Sequence, residues 1–301
     1  MLTAEIIKEK AREFGADLVG IGDIAHYKGC TPQRDPVQVL PDATCVIGFG
    51  FRVPRALYDA MSAGRQYFNY TQLGVKVIDE ELAEVFLLKM GALIENEGYD
   101  ACLQRNVSNL RIKGDKTTNP ELVDTYELAM AEAISPDKVV PDVILDFAES
   151  ARICGLGSVS CKGNVLVPKF GPYVRFAFII TNAPLVADAP FAQSFCDYCG
   201  ACAKACPGHA IGADGLNTWQ CAVYYRGAHK SNPFMTDGFL AGDSRRAAIL
   251  NGDYRFDAQS AREIYPQLDF LPSRATGYAP CICGKKCDVA CYQHLQEKKL
   301  I

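Results

Sequence analysis

Four cysteines and a proline in fixed register constrain this 301-residue chain more than any other feature. The segment reads Cys196-Asp-Tyr-Cys199-Gly-Ala-Cys202-Ala-Lys-Ala-Cys206-Pro207, which is C-x₂-C-x₂-C-x₃-C-P. Two-residue gaps let one loop aim three sulfurs at a single [4Fe–4S] cubane, and the fourth cysteine lies past a turn, where it reaches a second cluster. The spacing therefore predicts iron–sulfur clusters rather than the disulfide scaffold of a small secreted protein.

A second group of cysteines is expected to complete the ligand set, because two cubanes need eight thiolates. The candidates after the first run are Cys221, Cys281, Cys283, Cys287 and Cys291. The remaining cysteines are expected to be small core or loop residues, namely Cys30, Cys45, Cys102, Cys154 and Cys161. The chain thus offers nine candidates for eight places.

The ligands are assigned by the pattern of bacterial two-cluster ferredoxins, in which the last cysteine returns to the first cluster. The first cluster is assigned Cys196, Cys199, Cys202 and Cys291. The second cluster is assigned Cys206, Cys221, Cys283 and Cys287. Cys281 is the expected spare, and its replacement of Cys283 stays open as the alternative. A zinc site in the last group is the competing interpretation, but it leaves Cys206 and Cys221 without partners.

Composition limits the classes of function that the chain can serve. The net charge of −4 argues against a dominant phosphate-binding surface, so we do not expect nucleic acid as a partner. The longest apolar run, near residues 174–183, is too short to span a bilayer. The first ten residues have the pattern of a charged amphipathic helix rather than a signal peptide. We therefore expect a cytoplasmic protein that does not enter a membrane.

The pattern along the chain predicts two domains. Residues 1–190 alternate helices and strands, which indicates an α/β (α+β) domain, and residues 191–301 form a cysteine-rich domain with an insertion at 222–280. The predicted strands lie at 17–24, 44–51, 99–104 and 174–180. The predicted helices lie at 6–14, 71–97, 121–134, 142–154, 244–250 and 258–265.

The segment before the cysteine run resembles a known family. Residues 151–164 read ARICGLGSVSCKGN, residues 166–175 read LVPKFGPYVR and residues 179–185 read IITNAPL. Together with LPDATCVIG at 40–48 and SAGRQY at 62–67, they resemble the epoxyqueuosine reductases and reductive dehalogenases. The resemblance implies a nitroreductase-like α/β domain that holds base-off cobalamin, followed by a bacterial two-[4Fe–4S] ferredoxin-like domain.

The resemblance also implies roles for individual residues. The positions that correspond to a cofactor loop are Gly155, Gly157, Gly163 and Asn164. The proton donors carried as candidates are Asp142, which is one residue out of register with the family's aspartate, and the phenols Tyr67 and Tyr70. An ordinary helix-terminating loop and half-buried packing tyrosines are the competing structural interpretations of these segments.

The cysteine spacing and the family resemblance together suggest three hypotheses for the function. The leading hypothesis is a cytoplasmic, cobalamin-dependent iron–sulfur oxidoreductase that receives electrons from a low-potential ferredoxin or flavodoxin and reduces a small organic substrate. The first alternative is a non-catalytic electron-transfer or activator protein that serves a corrinoid protein or enzyme. The second is epoxyqueuosine reduction on tRNA, which we do not expect because the chain is acidic and ends soon after Cys291, without the helical repeats of many epoxyqueuosine reductases.

Overall fold

The chain folds into two units, each built from several segments of the sequence. The computed structural model describes residues 2–106, 110–113, 127–130, 143–271 and 278–301. The first unit consists of Met1–Phe51, Asp79–Gly157 and Phe176–Ala192, and the second of Arg52–Ile78, Ser158–Arg175 and Gln193–Ile301. One boundary between the units lies after Ala192, and the predicted domain boundary lies after residue 190. The second unit also includes Arg52–Ile78 from the N-terminal half of the chain.

The secondary structure alternates along the chain. The strands are β1 (Leu18–Asp23), β2 (Cys45–Arg52), β3 (Ala101–Gln104), β4 (Leu110–Lys113), β5 (Glu127–Met130), β6 (Ser158–Val159), β7 (Val165–Leu166), β8 (Val174–Thr181), β9 (Ile211–Gly212) and β10 (Gly215–Leu216). The helices are α1 (Ala4–Glu13), α2 (Arg55–Ser62), α3 (Asn69–Thr71), α4 (Ala83–Glu95), α5 (Phe147–Ile153), α6 (Ala201–Ala205), α7 (Thr218–Tyr225), α8 (Arg246–Asn251), α9 (Ala258–Ile264) and α10 (Lys286–Glu297). A π-helical stretch, Gln72–Leu82, joins α3 to α4.

A four-stranded sheet in the order β1-β2-β8-β3 organises the first unit. Strand β1 pairs antiparallel with β2, and β3 pairs antiparallel with β8. Strands β2 and β8 are almost fully buried along their length, which is why both read as continuous apolar runs in the sequence. Helix α1 packs against strand β1 with Ile7 and Ala11 buried, and the Thr3 hydroxyl accepts a hydrogen bond from the Ile6 amide to begin the helix.

Most of the predicted elements are present. The predicted strands correspond to β1, β2, β3 and β8, and the helices predicted at 6–14, 71–97, 244–250 and 258–265 correspond to α1, the α3–α4 run, α8 and α9. The helix predicted at 142–154 is shorter, because the Asp146 carboxylate accepts from the Ala148 and Glu149 amides and so begins α5 at Phe147.

One predicted element is wrong. Within the helix predicted at 121–134, the described residues Glu127–Met130 form strand β5, which pairs antiparallel with β4. Leu110 lies opposite Met130, so the pairing joins residues that are distant in the sequence. The periodicity of apolar residues along the chain does not reveal a pairing of this kind. The hydrogen bonds between β4 and β5 outweigh the local preference for helix.

The second unit surrounds its cysteines with short helices and two small hairpins, β6–β7 and β9–β10. Helices α6 and α10 pack against each other, and both carry cysteines of the predicted ligand set. Among the helices of the described residues, none combines the length and the apolar character that crossing a bilayer requires. The placement of the protein in the cytoplasm stays a prediction.

The predicted insertion at 222–280 has an apolar cluster of its own. Its buried members are Val223, Tyr224, Ala228, Phe239, Leu240, Ile249, Phe256, Ala261, Ile264 and Leu268. The side chain of Gln220, which is fully buried, donates hydrogen bonds to the carbonyls of Gly208 (2.7 Å) and Tyr254 (2.9 Å). It also accepts from the Phe256 amide at 2.8 Å, so one amide ties the insertion to the turn that follows Cys206.

This packing predicts unequal effects for two nearby glycines. A Cβ added at Gly208 would lie 2.1 Å from the Tyr224 ring, whose hydroxyl is held by the Ile249 carbonyl at 2.6 Å. We expect Gly208→Ala to lower the free energy of unfolding by about 1–3 kcal/mol. Gly212→Ala is the matched control, because an added Cβ there meets nothing within 4 Å, and it should change stability by less than about 0.5 kcal/mol. Urea unfolding of the anaerobically purified protein measures both, and equal effects would contradict the packing argument.

Candidate metal centre

The cysteines predicted for the first cluster line one cavity in the second unit. They are Cys196, Cys199, Cys202 and Cys291. Cys196 and Cys199 come from the loop before α6, Cys202 from α6 itself and Cys291 from α10. Cys199 is exposed, whereas Cys202 retains 7% of its surface. The structure thus brings the four thiols of the first predicted set together, and their binding of iron stays a prediction.

The same cavity contains a fifth thiol that the sequence analysis missed. Cys161 lies in the turn between β6 and β7, and its Sγ is 4.0 Å from Sγ of Cys202. It also lies close enough to Cys196 to interact with it electrostatically. No spacing signal marks Cys161, because it stands far upstream of the cysteine run and in a different loop.

The cysteines predicted for the second cluster also come together. Beyond burial, the nearby Cys283 and Cys206 raise the pKa of the Cys221 thiol on α7, and Cys283 also raises the pKa of Cys287 on α10. The spare cysteine of the sequence analysis, Cys281, is fully buried with its Sγ 3.7 Å from Sγ of Cys283. Either of these two thiols is therefore placed to serve the same position, and the alternative between them stays open.

Burial keeps three of these thiols protonated when no metal is bound. It raises the pKa of the Cys221 thiol to about 11 and the pKa values of Cys287 and Cys291 to about 12. Since iron binds the thiolate form, metal binding at these residues must release protons to solvent. The donor set fits an iron–sulfur cluster, which stabilises thiolates that the protein alone leaves neutral.

A charged network lies beside these thiols. Lys162 and Asp288 expose only 6% and 7% of their side chains and form an ion pair, and Nζ of the partly exposed Lys285 lies 3.4 Å from the Asp288 carboxylate. Burial would raise the pKa of Asp288, but the two ammonium groups lower it. Two cations and one anion leave one net positive charge near Cys287 and Cys291.

The same network accounts for one residue of the predicted cofactor loop. The Asn164 side chain donates a hydrogen bond to the Asp288 carboxylate at 3.5 Å and accepts one from the Ser160 hydroxyl. Its neighbour Gly163 is exposed, has φ +83° and leaves open space where a Cβ would stand. Of this pair, only Gly163 presents bare backbone that a large ligand can approach closely.

The other two loop positions belong to the first unit. Gly155 has φ +72°, and an added Cβ would lie 2.8 Å from the Ala189 carbonyl oxygen. The glycine is therefore required by backbone packing within the unit, without reference to a ligand. Gly157 is buried. Because Gly155 and Asn164 already have partners in the protein, the residues predicted for a corrinoid fit it only in part.

The candidate proton donors differ in their surroundings. Asp142 lies outside the residues that the structure describes. The ring of Tyr67 packs against the ring of Phe234, with 5.1 Å between the ring centroids. The backbone carbonyl of Tyr67 accepts a hydrogen bond from the Cys281 amide. Tyr70 is 5% exposed and lies near Lys285, and burial raises the pKa of its phenol. Of the two tyrosines, Tyr70 is the one that the structure places beside the charged network.

A stack of tyrosines reaches the first cysteine set. The ring of Tyr292, which follows Cys291 on α10, lies 4.6 Å from the ring of Tyr173. The ring of Tyr173 in turn stacks on the ring of Tyr58, with 3.8 Å between the ring centroids. The centroid of the Tyr58 ring lies 4.9 Å from that of Tyr70. The sequence does not reveal this stack, because its members come from three distant segments.

A comparison with known protein families identifies the type of metal-binding domain. Residues 190–212, which contain the first cysteine run, match the family model of a 4Fe-4S binding domain. The chain is therefore an iron–sulfur protein, as the spacing predicts.

The relatives are reductases of the two families that the sequence resembles. The chain is 42% identical over 69 residues to the tetrachloroethene reductive dehalogenase of Sulfurospirillum multivorans, across 22% of this chain and 14% of that one. It is 32% identical over 149 residues to the epoxyqueuosine reductase of Bacillus subtilis, across 49% of this chain and 32% of that one. These matches confirm the resemblance, and they span a third or less of each relative's length.

A solved structure shares the fold. The catabolic reductive dehalogenase NpRdhA, solved in complex with 3-bromo-4-hydroxybenzoic acid, matches 99% of this chain and 36% of its own with a TM-score of 0.51 and 17% identity. At this identity the likeness shows the fold alone. A mixed α/β architecture that carries a 4Fe-4S binding motif is therefore confirmed.

The charged network yields a prediction about stability. Asp288→Asn removes the one anion and leaves Lys162 unpaired in a buried place, which should lower the free energy of unfolding by about 3–5 kcal/mol. Asp59→Asn is the matched control, because the Arg55–Asp59 pair is exposed and its loss should cost less than about 1 kcal/mol. Thermal unfolding under anaerobic conditions compares the two variants, and equal shifts in midpoint would show that the buried pair is not stabilising.

Proposed function

We propose that the protein is an iron–sulfur reductase with two [4Fe–4S] clusters, which takes electrons from a low-potential ferredoxin or flavodoxin and reduces a small organic substrate. The observation that carries the proposal is the convergence of the predicted ligands in two sets within the second unit. One set surrounds the cavity beside α6, and the other joins Cys206 to Cys221 and Cys283. When bound, such clusters supply one-electron transfer.

The charged network supports this role. Thiolate-ligated clusters carry net negative charge, and nearby positive charge and hydrogen bonds to sulfur make them easier to reduce. Lys162 and Lys285 provide that charge beside Cys287, and the Ala210 amide donates a hydrogen bond to Sγ of Cys206 at 3.4 Å. The protein therefore stabilises the reduced form of a cluster at the second set in two independent ways.

Cobalamin is the further cofactor that the resemblance implies, in a first domain of nitroreductase type. A bound corrinoid would supply a strongly reducing metal centre for the substrate. Gly163 supports its binding with open backbone, whereas Gly155 and Asn164 are engaged elsewhere, so we assign no reaction step to it. Tyr70 is the preferred proton donor of this proposal, ahead of Tyr67 and Asp142.

Two alternatives remain distinct from this proposal. The first is a non-catalytic electron-transfer protein that reduces a separate corrinoid protein or enzyme. The second is epoxyqueuosine reduction, since several relatives bear the name epoxyqueuosine reductase. The expectation that nucleic acid is not a partner finds no support in the comparisons, so binding of a tRNA anticodon stem-loop is measured alongside the cofactors.

Metal content tests the proposed function. Anaerobically purified protein, reconstituted with iron, sulfide and hydroxocobalamin, should hold about eight irons per chain and one cobalt per chain, with a base-off corrinoid spectrum. Full iron without retained cobalt would favour the electron-transfer alternative. About four irons or fewer would contradict the two-cluster assignment. Salt-dependent binding of the stem-loop at low micromolar concentration would favour the tRNA substrate.

The assignment of the second cluster has its own test. Cys206→Ala should lose about half of the bound iron, because the cluster at the second set would lack one of its four thiolates. Cys102→Ala is the control, since Cys102 lies in β3 of the first unit, and it should keep full iron content. Iron analysis after anaerobic gel filtration measures both, and retention of all iron by Cys206→Ala would contradict the assignment.

A further inference from the structure

The first cysteine cavity contains one thiol more than a cubane uses. Cys161 lines it together with the four predicted ligands, and its Sγ is 4.0 Å from Sγ of Cys202. Two sulfurs this close are placed to reach the same corner of a cluster. The second set repeats the arrangement, with Sγ of Cys281 3.7 Å from Sγ of Cys283.

The position of Cys161 is fixed by hydrogen bonds on both sides of it. The Ser160 amide donates to the Asn164 carbonyl at 2.8 Å, and the Gly163 amide donates to the Ser160 carbonyl at 2.9 Å. These bonds close a tight turn that carries Cys161 at its corner. The turn therefore holds the thiol in a defined place rather than on a loose loop.

Two further contacts attach this turn to the elements that carry the predicted ligands. Before the turn, the Ser158 hydroxyl accepts a hydrogen bond from the Phe195 amide at 3.0 Å, directly beside Cys196. After Cys161, the buried Lys162 ammonium pairs with Asp288 on α10, the helix that carries Cys291. Cys161 is thus held between the loop and the helix that supply the first cluster's ligands.

We propose that Cys161 and Cys202 are alternative ligands of the same iron in the first cluster. This inference rests on the proposed function, since it assumes that the cavity holds a cluster. In the exchange, an Fe–S bond to Cys161 forms and the Fe–S bond to Cys202 breaks. The proton leaves the Cys161 thiol and ends on the released Cys202 sulfur, and no electron is transferred.

The exchange gives the first cluster two ligation states with different surroundings. Cys202 lies on α6 and is nearly buried, whereas Cys161 is partly exposed and stands next to Lys162 of the charged network. Ligation through Cys161 changes the solvent exposure of the cluster's ligand, and solvent exposure is one of the factors that set a cluster's potential. The pair of thiols also preserves the cluster when one ligand is lost.

Alanine variants separate this inference from a simple packing role, because alanine cannot bind iron. Cys202→Ala should keep about eight irons per chain, because Cys161 takes its place, and Cys161→Ala should also keep about eight. The double variant Cys161→Ala/Cys202→Ala should fall to about four. Cys291→Ala is the matched control: it removes a ligand of the same cavity beside which the described part of the chain places no spare thiol of this kind, and it should also fall to about four.

Alkylation gives a second readout that does not depend on activity. In the iron-loaded wild-type protein, iodoacetamide should modify Cys161, whereas in Cys202→Ala the same residue should be protected until the cluster is removed by a chelator. Peptide mass spectrometry identifies the modified cysteine. The irons that remain in the second cluster report that each variant is folded.

The outcomes are distinct. Loss of about half the iron in Cys202→Ala, with Cys161 alkylated in both proteins, would overturn the inference and leave Cys161 as a neighbour of the cluster only. Wild-type protein with fewer than about eight irons would instead contradict the proposed function, before any variant is compared.

Discussion

The buried pair between Lys162 and Asp288 is the contact on which the arrangement of the second unit depends. It joins the turn after β6 to α10, and these two elements carry Cys161, Cys287 and Cys291. A buried ion persists only with its partner, because an isolated charge in that place costs several kcal/mol. The pair therefore fixes the turn and the helix relative to each other, and together with Lys285 it leaves one net positive charge beside thiols that must become anionic when iron binds.

The local part of the site could be predicted from the sequence, because cluster ligation imposes short and regular spacings. The run from Cys196 to Cys206 follows from those spacings, and it matches the family model of a 4Fe-4S binding domain. The division of the cysteines into two ligand sets stays a prediction. Strands β2 and β8 are equally accessible from the sequence, since a strand buried on both faces reads as a continuous apolar run.

The rest depends on contacts between distant segments. Strand β5 was predicted as helix, because its partner β4 lies well upstream, and no local pattern shows which segment it pairs with. Cys161 and Lys162 looked like ordinary loop residues until the fold placed them beside Cys202 and Asp288. Gly155 shows the opposite case, a residue that the family resemblance assigns to a cofactor and that backbone packing against Ala189 explains.

The central claim is that the second unit holds two cubane clusters on the two cysteine sets. Anomalous diffraction at the iron edge, from crystals grown anaerobically with reconstituted protein, tests it most directly. The account predicts two iron peaks, one bounded by Cys196, Cys199, Cys202 or Cys161, and Cys291, and the other by Cys206, Cys221, Cys287, and Cys283 or Cys281. A single iron peak, or a zinc ion held by Cys283, Cys287 and Cys291, would contradict it.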